Sequence, residues 1–395
     1  MAQRHLDPTD PGAPEVTGDA LAVYLRAQAT EFLRALRLHR ETGGSTAGGA
    51  QETVDAARAL RRSARRISGS LHTFRPLLDA DWSEEIRPEL AWLSGTLGLE
   101  HAYAARLERL LLALHRLSGA AAFPEQSVVA VGTAAQQSGS VAALPGGARA
   151  AGTAGAAGAH TTGRAQAGLA EAPLATTGPA RPAPAPDRGN LTVGAAKAGA
   201  LLERQLTLAR TRAHSTALQA LGSSRFHAVA DKVALLASEV PLTPAAPTTG
   251  LRPLAAAAEE RLTDSVAALP LLTAGHPYNA QALVHGLSPD PAPHPQDAPW
   301  HQVRLLLRLH RYAREVLSGG GAPADVGLPA AGLALNRHRD ASEAASAAAQ
   351  AARTPRITPA TAYALGVLHA DQRHEVEAAR FAFQQAWQKQ AVGAS

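Results

Sequence analysis

The sequence contains no cysteine among its 395 residues. It therefore cannot form a disulfide, use a thiolate as a nucleophile or bind zinc through thiolates. Aromatic residues make up only 4% of the chain, and β-branched strand formers are also scarce. We therefore predict an all-α protein whose core consists of Leu, Val and Ala carried on helices.

Long apolar segments are also missing. No uninterrupted apolar run approaches the roughly 18 residues that a membrane-spanning helix requires. The opening stretch, MAQRHLDPTDPGAPEV, contains acids and prolines and lacks the apolar centre of a signal peptide. We therefore expect a cytoplasmic protein with no membrane partner.

Lysine is rare, and arginine supplies almost all of the positive charge. Of the 38 Lys and Arg residues, only Lys197, Lys232 and Lys389 are lysine. Two explanations remain open: the codon usage of a GC-rich genome, and the use of planar guanidinium groups to bind phosphate oxygens. The formal net charge of +5 favours an acidic partner.

One predicted helix concentrates this charge. The stretch RALRRSARRISGSLHTFRPLL, residues 58–78, holds six arginines and no acidic residue. Five of them follow helical spacing and share one face: Arg58, Arg61, Arg62, Arg65 and Arg66. Apolar residues occupy the opposite face: Leu60, Ala64, Ile67, Leu71 and Phe74. An ordinary solvated face mixes Glu with Arg, so this pattern favours an anionic ligand over simple solvation.

A second helix repeats the pattern 243 residues later. Arg58, Arg61 and Arg65 have the same spacing as His301, Arg304 and Arg308, and Arg311 continues the basic face of this helix. No acid occurs between Asp297 and Glu315. Two equivalent basic helices predict a duplicated helical bundle whose basic faces line one shared surface.

The rest of the chain reads as helices separated by Gly- and Pro-rich breaks. We expect a disordered tail over residues 1–18, a helical half over 19–118, a low-complexity flexible linker over 119–190 and a second helical half over 191–390. About four helices should precede the linker and five or six should follow it. DWSEEIRPELAWLSGTLG and EHAYAARLERLLLALHRLSG are predicted as two separate helices.

Five segments, in order, resemble the conserved histidine α-helical domain (CHAD) family. They are RALRRSARRISGSLHTFRPLL, ARTRAHSTALQALGSSRFHAVADKVALL, WHQVRLLLRLHRYAREVL, LNRHRDASEAA and TAYALGVLHADQR. The resemblance implies two four-helix bundles related by approximate two-fold symmetry, with inorganic polyphosphate or a similar polyanion bound in a basic groove between them. It also makes polyphosphate granules a candidate location. The resemblance nominates the following binding residues: Arg58, Arg61, Arg65, Arg66, His301, Arg304, Arg308, Arg311 and His338, with Arg210, His214 and Arg225 as weaker candidates.

The chain departs from the family pattern at several positions. Arg58 stands where the first signature histidine is expected, which keeps the charge but removes titration near neutral pH. Ser68 and Leu309 replace basic residues, and an expected Arg–Asp pair reads His101–Ala102. The groove is therefore expected to be reshaped in its first half.

Other functions have weaker support in the sequence. His338 with Asp340, and His369 with Asp371 and His374, suggest a metal site, but no HExxH motif is present and His369 and His374 do not share a helix face. No GxSxG or P-loop motif occurs, so we predict a non-enzymatic protein without metal or cofactor. A helical scaffold remains an alternative. A nonspecific nucleic-acid binder is a second alternative, whereas sequence-specific nucleic-acid binding is disfavoured because few aromatic side chains are available for base stacking.

Overall fold

A computed structural model of the chain describes residues 16–42, 49–119, 188–271, 273–287, 294–319 and 327–393. Residues 1–15 of the predicted tail and most of the predicted linker lie outside these ranges. Within them the protein is all-α, as expected, with no strand. The ten α-helices are α1 (Gly18–Thr42), α2 (Gly49–Thr73), α3 (Ala80–Ser118), α4 (Arg188–Leu221), α5 (Ser224–Ser238), α6 (Arg252–Ala267), α7 (Ala280–Gly286), α8 (Ala298–Leu317), α9 (Gly327–Ala352) and α10 (Pro359–Gly393).

Helix α2 has the two faces that its sequence predicts. Leu60, Ala64, Ile67, Leu71 and Phe74 are each 0% exposed, because a 3.6-residue period brings them to one side of the helix. They join the first core cluster, which also contains side chains from α1, α3, α5, α6 and α8. The arginines are consequently left on the opposite side of α2.

Helix α3 corrects the prediction of two separate helices. It runs without a break for 39 residues, from the Asp79 cap, whose carboxylate accepts a hydrogen bond from the Trp82 amide, to Gly119 in the left-handed conformation. Gly95 and Gly98 do not interrupt it. The two ends of α3 pack into different core clusters, and this burial outweighs the roughly 1 kcal/mol helix penalty of each glycine.

Two further core clusters complete the packing. The second combines α6, α8, the first part of α9 and the last part of α10, and includes Leu262, Trp300 and Phe383. The third lies where α3, α4, α9 and α10 meet, with Leu110 and Leu202 among its members. Because the third cluster joins helices from both sides of residues 120–187, the described helices form one compact unit.

Candidate functional site

The two basic helices cross in direct contact. A Cβ atom on Gly69 of α2 would lie 2.6 Å from the Tyr312 ring and 3.3 Å from the Leu309 side chain of α8. The absence of a side chain at Gly69 therefore lets the Tyr312 and Leu309 side chains of α8 pack directly against α2. The crossing brings the cationic sides of α2 and α8 together, although their residues are more than 230 positions apart in the sequence.

Five arginines converge beside this crossing, and we call them the central basic cluster: Arg61 and Arg65 from α2, Arg304 and Arg308 from α8, and Arg339 from α9. Arg61 is close enough to Arg308 and Arg339 to be repelled by both. Arg65 is repelled by Arg61, Arg308 and Arg304. The structure thus brings together four of the arginines nominated by sequence.

The central basic cluster has little compensating charge. Among the described residues, no carboxylate lies within 4.0 Å of the guanidinium groups of Arg61, Arg65, Arg304 or Arg308. Arg304 donates a hydrogen bond to the neutral side-chain oxygen of Asn336 at 3.0 Å. Arg339 alone has acidic partners, Asp340 at 2.5 Å and Glu343 at 3.6 Å.

Burial and mutual repulsion depress the pKa values of these guanidinium groups. Burial is the main cause, followed by the neighbouring arginines, and together they lower the pKa of Arg65 to about 9 and that of Arg304 to about 10. The same causes lower the pKa of Arg61 and Arg308. All four groups remain protonated at neutral pH. The protonated arginines of the central basic cluster therefore repel one another in the folded protein, and a bound anion would reduce this repulsion.

Arg61 is held against α3 by a second close approach. A Cβ atom on Gly98 would lie 2.6 Å from the guanidinium carbon of Arg61, so a larger residue there would displace this side chain. The Nε atom of Arg61 is buried and has no hydrogen-bond partner among the described residues. Gly98 thus positions Arg61 while leaving its charge uncompensated.

His301 extends the cluster by one helical turn before Arg304. Its ring is half-buried, and its Nε2 atom has no hydrogen-bond partner in the described part of the chain. Burial is the main cause of a lowered pKa at His301. A neutral ring at this position can donate a hydrogen bond to an oxyanion from the nitrogen that carries its proton.

The structure contradicts the predicted ligand contact of His338. Its side chain is only 1% exposed and stacks on the Trp300 ring with centroids 5.6 Å apart. Its Nε2 atom accepts a hydrogen bond from Arg380 at 3.3 Å. Burial lowers the pKa of His338 to about 4. It is therefore a neutral core residue that supports His301, whose ring centroid lies 5.5 Å away.

A buried ionic network beneath His338 was not foreseen from the sequence. Asp297, which is 0% exposed, binds Arg373 at 2.7 Å and Arg380 at 2.7 Å and also accepts the Ser342 hydroxyl. Although burial opposes ionisation, the hydrogen bonds and positive charge of Arg373 hold the pKa of Asp297 far below its usual range. The network joins the start of α8 to α9 and α10, and so fixes the helix that carries Arg304 and Arg308.

Several nominated arginines are compensated, contrary to the sequence-based expectation of unopposed charge. Arg66 binds Glu315 at 2.8 Å, and the Tyr24 hydroxyl donates to the same carboxylate at 2.9 Å. Arg311 lies 3.4 Å from Glu315. Arg58 forms an exposed pair with Asp55 at 3.0 Å. Glu315 ends the acid-free stretch of α8, and only the helix crossing brings it to Arg66.

The three weaker candidates lie outside the central basic cluster. Arg210 and His214 both contact Glu100, at 3.7 Å and 2.9 Å. Arg225 binds Glu89 at 2.6 Å and stacks over the Trp92 ring at 4.0 Å. Each is an exposed side chain that contacts a carboxylate of α3, and this pairing explains why none of them adds uncompensated charge to the site.

Sequence reasoning also missed two residues near the cluster. Arg339 follows the buried His338 directly and turns toward Arg61 and Arg308. His101 comes from α3, and partial burial together with Arg58 and Arg61 lowers its pKa. The basic stretch NRHR around His338 was a signal for Arg339, whereas nothing in the sequence near His101 indicated which helix it would face.

Two adjoining cavities open on the central basic cluster. The inner cavity, about 260 Å³, is lined by Arg304, Arg308, Arg311 and Asn336. The middle cavity, about 310 Å³, is lined by Arg65, Arg308 and Tyr312. Arg308 belongs to both, so a ligand in one cavity would meet the same guanidinium group as a ligand in the other.

The described residues do not gather a metal site or a membrane span. No three histidine or carboxylate side chains within them are placed to hold a metal ion, and His369 and His374 instead donate to the Ala345 and Ala370 carbonyls at 2.9 Å and 3.0 Å. None of the described helices is both long enough and apolar enough to cross a membrane.

Comparison with known proteins places the chain in a family. Among solved structures, PptA from Streptomyces chartreusis is 63% identical to this chain with a TM-score of 0.68, and the match covers 94% of this chain and 99% of that one. No curated protein matches. A family model described as the CHAD domain matches residues 27–334. This chain therefore belongs to the CHAD domain family, which is associated with polyphosphate.

Proposed function

We propose that this protein binds inorganic polyphosphate, without converting it, at the central basic cluster. The observation that carries the proposal is the convergence of Arg61, Arg65, Arg304 and Arg308 without a carboxylate partner in the described residues. Membership of a family associated with polyphosphate supports the same ligand.

The chemistry of polyphosphate suits this arrangement. Each internal phosphate unit carries about one negative charge, and the polymer has no bases to read. A binding protein therefore needs closely spaced cations on rigid supports rather than a set of directional base contacts. Arginines one turn apart on a helix are separated by about 5 Å along its axis. Their guanidinium groups can donate two parallel hydrogen bonds to phosphate oxygens.

Binding should depend strongly on salt. Condensed counterions leave the polymer when arginines neutralise its charges, so the logarithm of the affinity should fall linearly with the logarithm of the salt concentration. The cavities of 260 and 310 Å³ on either side of Arg308 leave room for several phosphate units in contact with the cluster.

The decisive experiment is a double charge reversal at the site. Arg304→Glu with Arg308→Glu should abolish retention of the protein on immobilised polyphosphate while circular dichroism shows unchanged helicity. The matched control is Arg204→Glu with Arg212→Glu, two exposed arginines on α4 that carry the same charge change. Equal retention of both double variants would refute the site, and equal loss would indicate a general effect of net charge.

Competition assays separate polyphosphate from the other polyanions. Unlabelled polyphosphate should displace labelled polyphosphate at lower concentration than heparin or DNA across a salt series. Phosphate release from polyphosphate should stay at the background rate, as expected for a non-enzymatic protein. A fluorescent fusion should follow polyphosphate granules in the cytoplasm. In cells without polyphosphate the signal should be diffuse, and this difference would identify polyphosphate as the ligand responsible for the granular pattern.

A further inference from the structure

A third cavity continues the path that begins at the central basic cluster. This outer cavity, about 460 Å³, lies at the end of α2 and is lined by His72, Arg75, Glu84, Arg87 and Arg261. His72 and Arg87 also line the middle cavity. The inner, middle and outer cavities are therefore consecutive: Arg308 links the first two, and His72 and Arg87 link the second to the third.

The outer cavity is also positively charged. Glu84 lies 2.9 Å from Arg75 and 2.8 Å from Arg87, so one carboxylate is shared between two guanidinium groups. Arg261, an exposed residue of α6, has no carboxylate within salt-bridge distance among the described residues. Three arginines against one acid leave a formal charge of +2 around the cavity.

The pKa of His72 responds to all three arginines, which indicates that their side chains surround this histidine. Partial burial is the main reason that its pKa lies below the usual value, and the guanidinium groups of Arg87, Arg261 and Arg75 add to it, with Glu84 acting in the opposite sense. The side chains of α2, α3 and α6 therefore face one another across the outer cavity, as its lining residues also indicate.

We propose that a long polyphosphate chain continues from the central basic cluster through the middle cavity into the outer cavity, where Arg261 is its last contact. This inference rests on the proposed function, and it predicts that the affinity for polyphosphate depends on the length of the polyphosphate chain. Arg65 and Arg75 are ten residues apart on or just after α2, which corresponds to about 15 Å. A short oligomer held at Arg304 and Arg308 does not span that distance, whereas a long chain does.

The test compares two arginines of α6. Arg261→Gln removes the outer contact, and Arg252→Gln makes the same charge change nine residues earlier, on the opposite side of the helix. Both side chains are exposed, so neither substitution should change the unfolding temperature. The dissociation constants for long-chain polyphosphate and for tripolyphosphate are measured by calorimetry across a salt series.

Arg261→Gln should weaken long-chain binding about 3- to 10-fold and leave tripolyphosphate binding unchanged, with a salt slope reduced by about one counterion. Arg252→Gln should match the wild type with both ligands. Arg87→Gln, which alters a residue shared by two cavities, should weaken long-chain binding at least as much. These results would establish the extended path.

Equal long-chain affinities of Arg261→Gln and Arg252→Gln would overturn the inference. So would an equal loss of tripolyphosphate and long-chain binding in Arg261→Gln, because the contact would then not depend on length. A loss of single-stranded DNA binding as large as that of polyphosphate would show a general anion contact instead. If the wild type binds long-chain polyphosphate and Arg304→Glu with Arg308→Glu does not, the proposed function stands even when the extension fails. If the wild type binds neither ligand, both are refuted.

Discussion

Arg65 and Arg66 are neighbours on α2, but their guanidinium groups meet opposite electrostatic environments. Arg65 lies among other arginines and has no carboxylate partner in the described residues. Arg66 is bound to Glu315 at 2.8 Å, with 17% of the Glu315 side chain exposed. Methionine keeps an unbranched, flexible apolar stem like that of arginine and lacks the charged guanidinium group. Arg65→Met should therefore raise the free energy of unfolding, and Arg66→Met should lower it.

The magnitudes follow from the structure. The pKa of Arg65 falls from 12.5 to about 9. At about 1.4 kcal/mol per pH unit, this fall sets an upper limit of about 5 kcal/mol on the free-energy cost of keeping Arg65 charged in the folded protein. Water reaches part of the cluster and screens this repulsion, so we expect Arg65→Met to stabilise the protein by about 1–2 kcal/mol. Arg66→Met leaves Glu315 without its main cation and should destabilise by about 1–2 kcal/mol.

The assay is chemical denaturation at about pH 7 and about pH 10, followed by circular dichroism. The pKa of Arg65 is lower in the folded than in the unfolded protein, so the wild-type penalty is complete below about pH 9 and falls as pH rises from there toward 12.5. The advantage of Arg65→Met over the wild type should shrink accordingly at the higher pH.

Polyphosphate binding provides a second readout of the same pair. Arg65→Met should weaken binding although it stabilises the fold. The positive charge that it removes repels the neighbouring arginines in the free protein, and the same charge attracts the anion in the complex. Arg66→Met should change binding less, since Glu315 already compensates Arg66. If Arg65→Met proves as destabilising as Arg66→Met, the unopposed repulsion inferred for the central basic cluster is wrong.

Three further predictions test the surroundings of the site. Polyphosphate at about 100 times its dissociation constant should stabilise the wild type by about 2.7 kcal/mol in thermal unfolding, and the Arg304→Glu, Arg308→Glu variant should show no such shift. Asp297→Ala leaves two buried arginines without their shared carboxylate and should cost about 3–5 kcal/mol in denaturant titrations, a result that a loss below 1 kcal/mol would contradict. Gly69→Val should collide with Tyr312, lower the unfolding temperature and weaken polyphosphate binding together, whereas Gly95→Ala on α3, where a Cβ meets no neighbour, should raise the unfolding temperature slightly, because alanine favours a helix over glycine, and leave binding unchanged.

Much of the architecture could be predicted from local patterns. The 3.6-residue period of Leu60, Ala64, Ile67, Leu71 and Phe74 is a property of consecutive residues, and it determines both the buried stripe of α2 and the cationic stripe opposite to it. The repeat of this pattern in α8 is equally local. These two stripes placed Arg61 and Arg65 on one cationic face and Arg304 and Arg308 on another, and the resemblance to the CHAD family then nominated all four as binding residues.

Only the tertiary structure decided which arginines have a carboxylate partner. Arg66 and Glu315 are 249 residues apart in the chain, and they meet because Gly69 lets α2 and α8 touch. His338 has a polar sequence context, yet it is buried by the packing of Trp300 and Arg380. Opposite charges pair when they are close in space. A helical period shows which face of its helix a residue occupies, but it does not show which distant helix covers that face. The sequence by itself therefore determined the cationic stripes, and the helix crossing selected the arginines that remain unopposed.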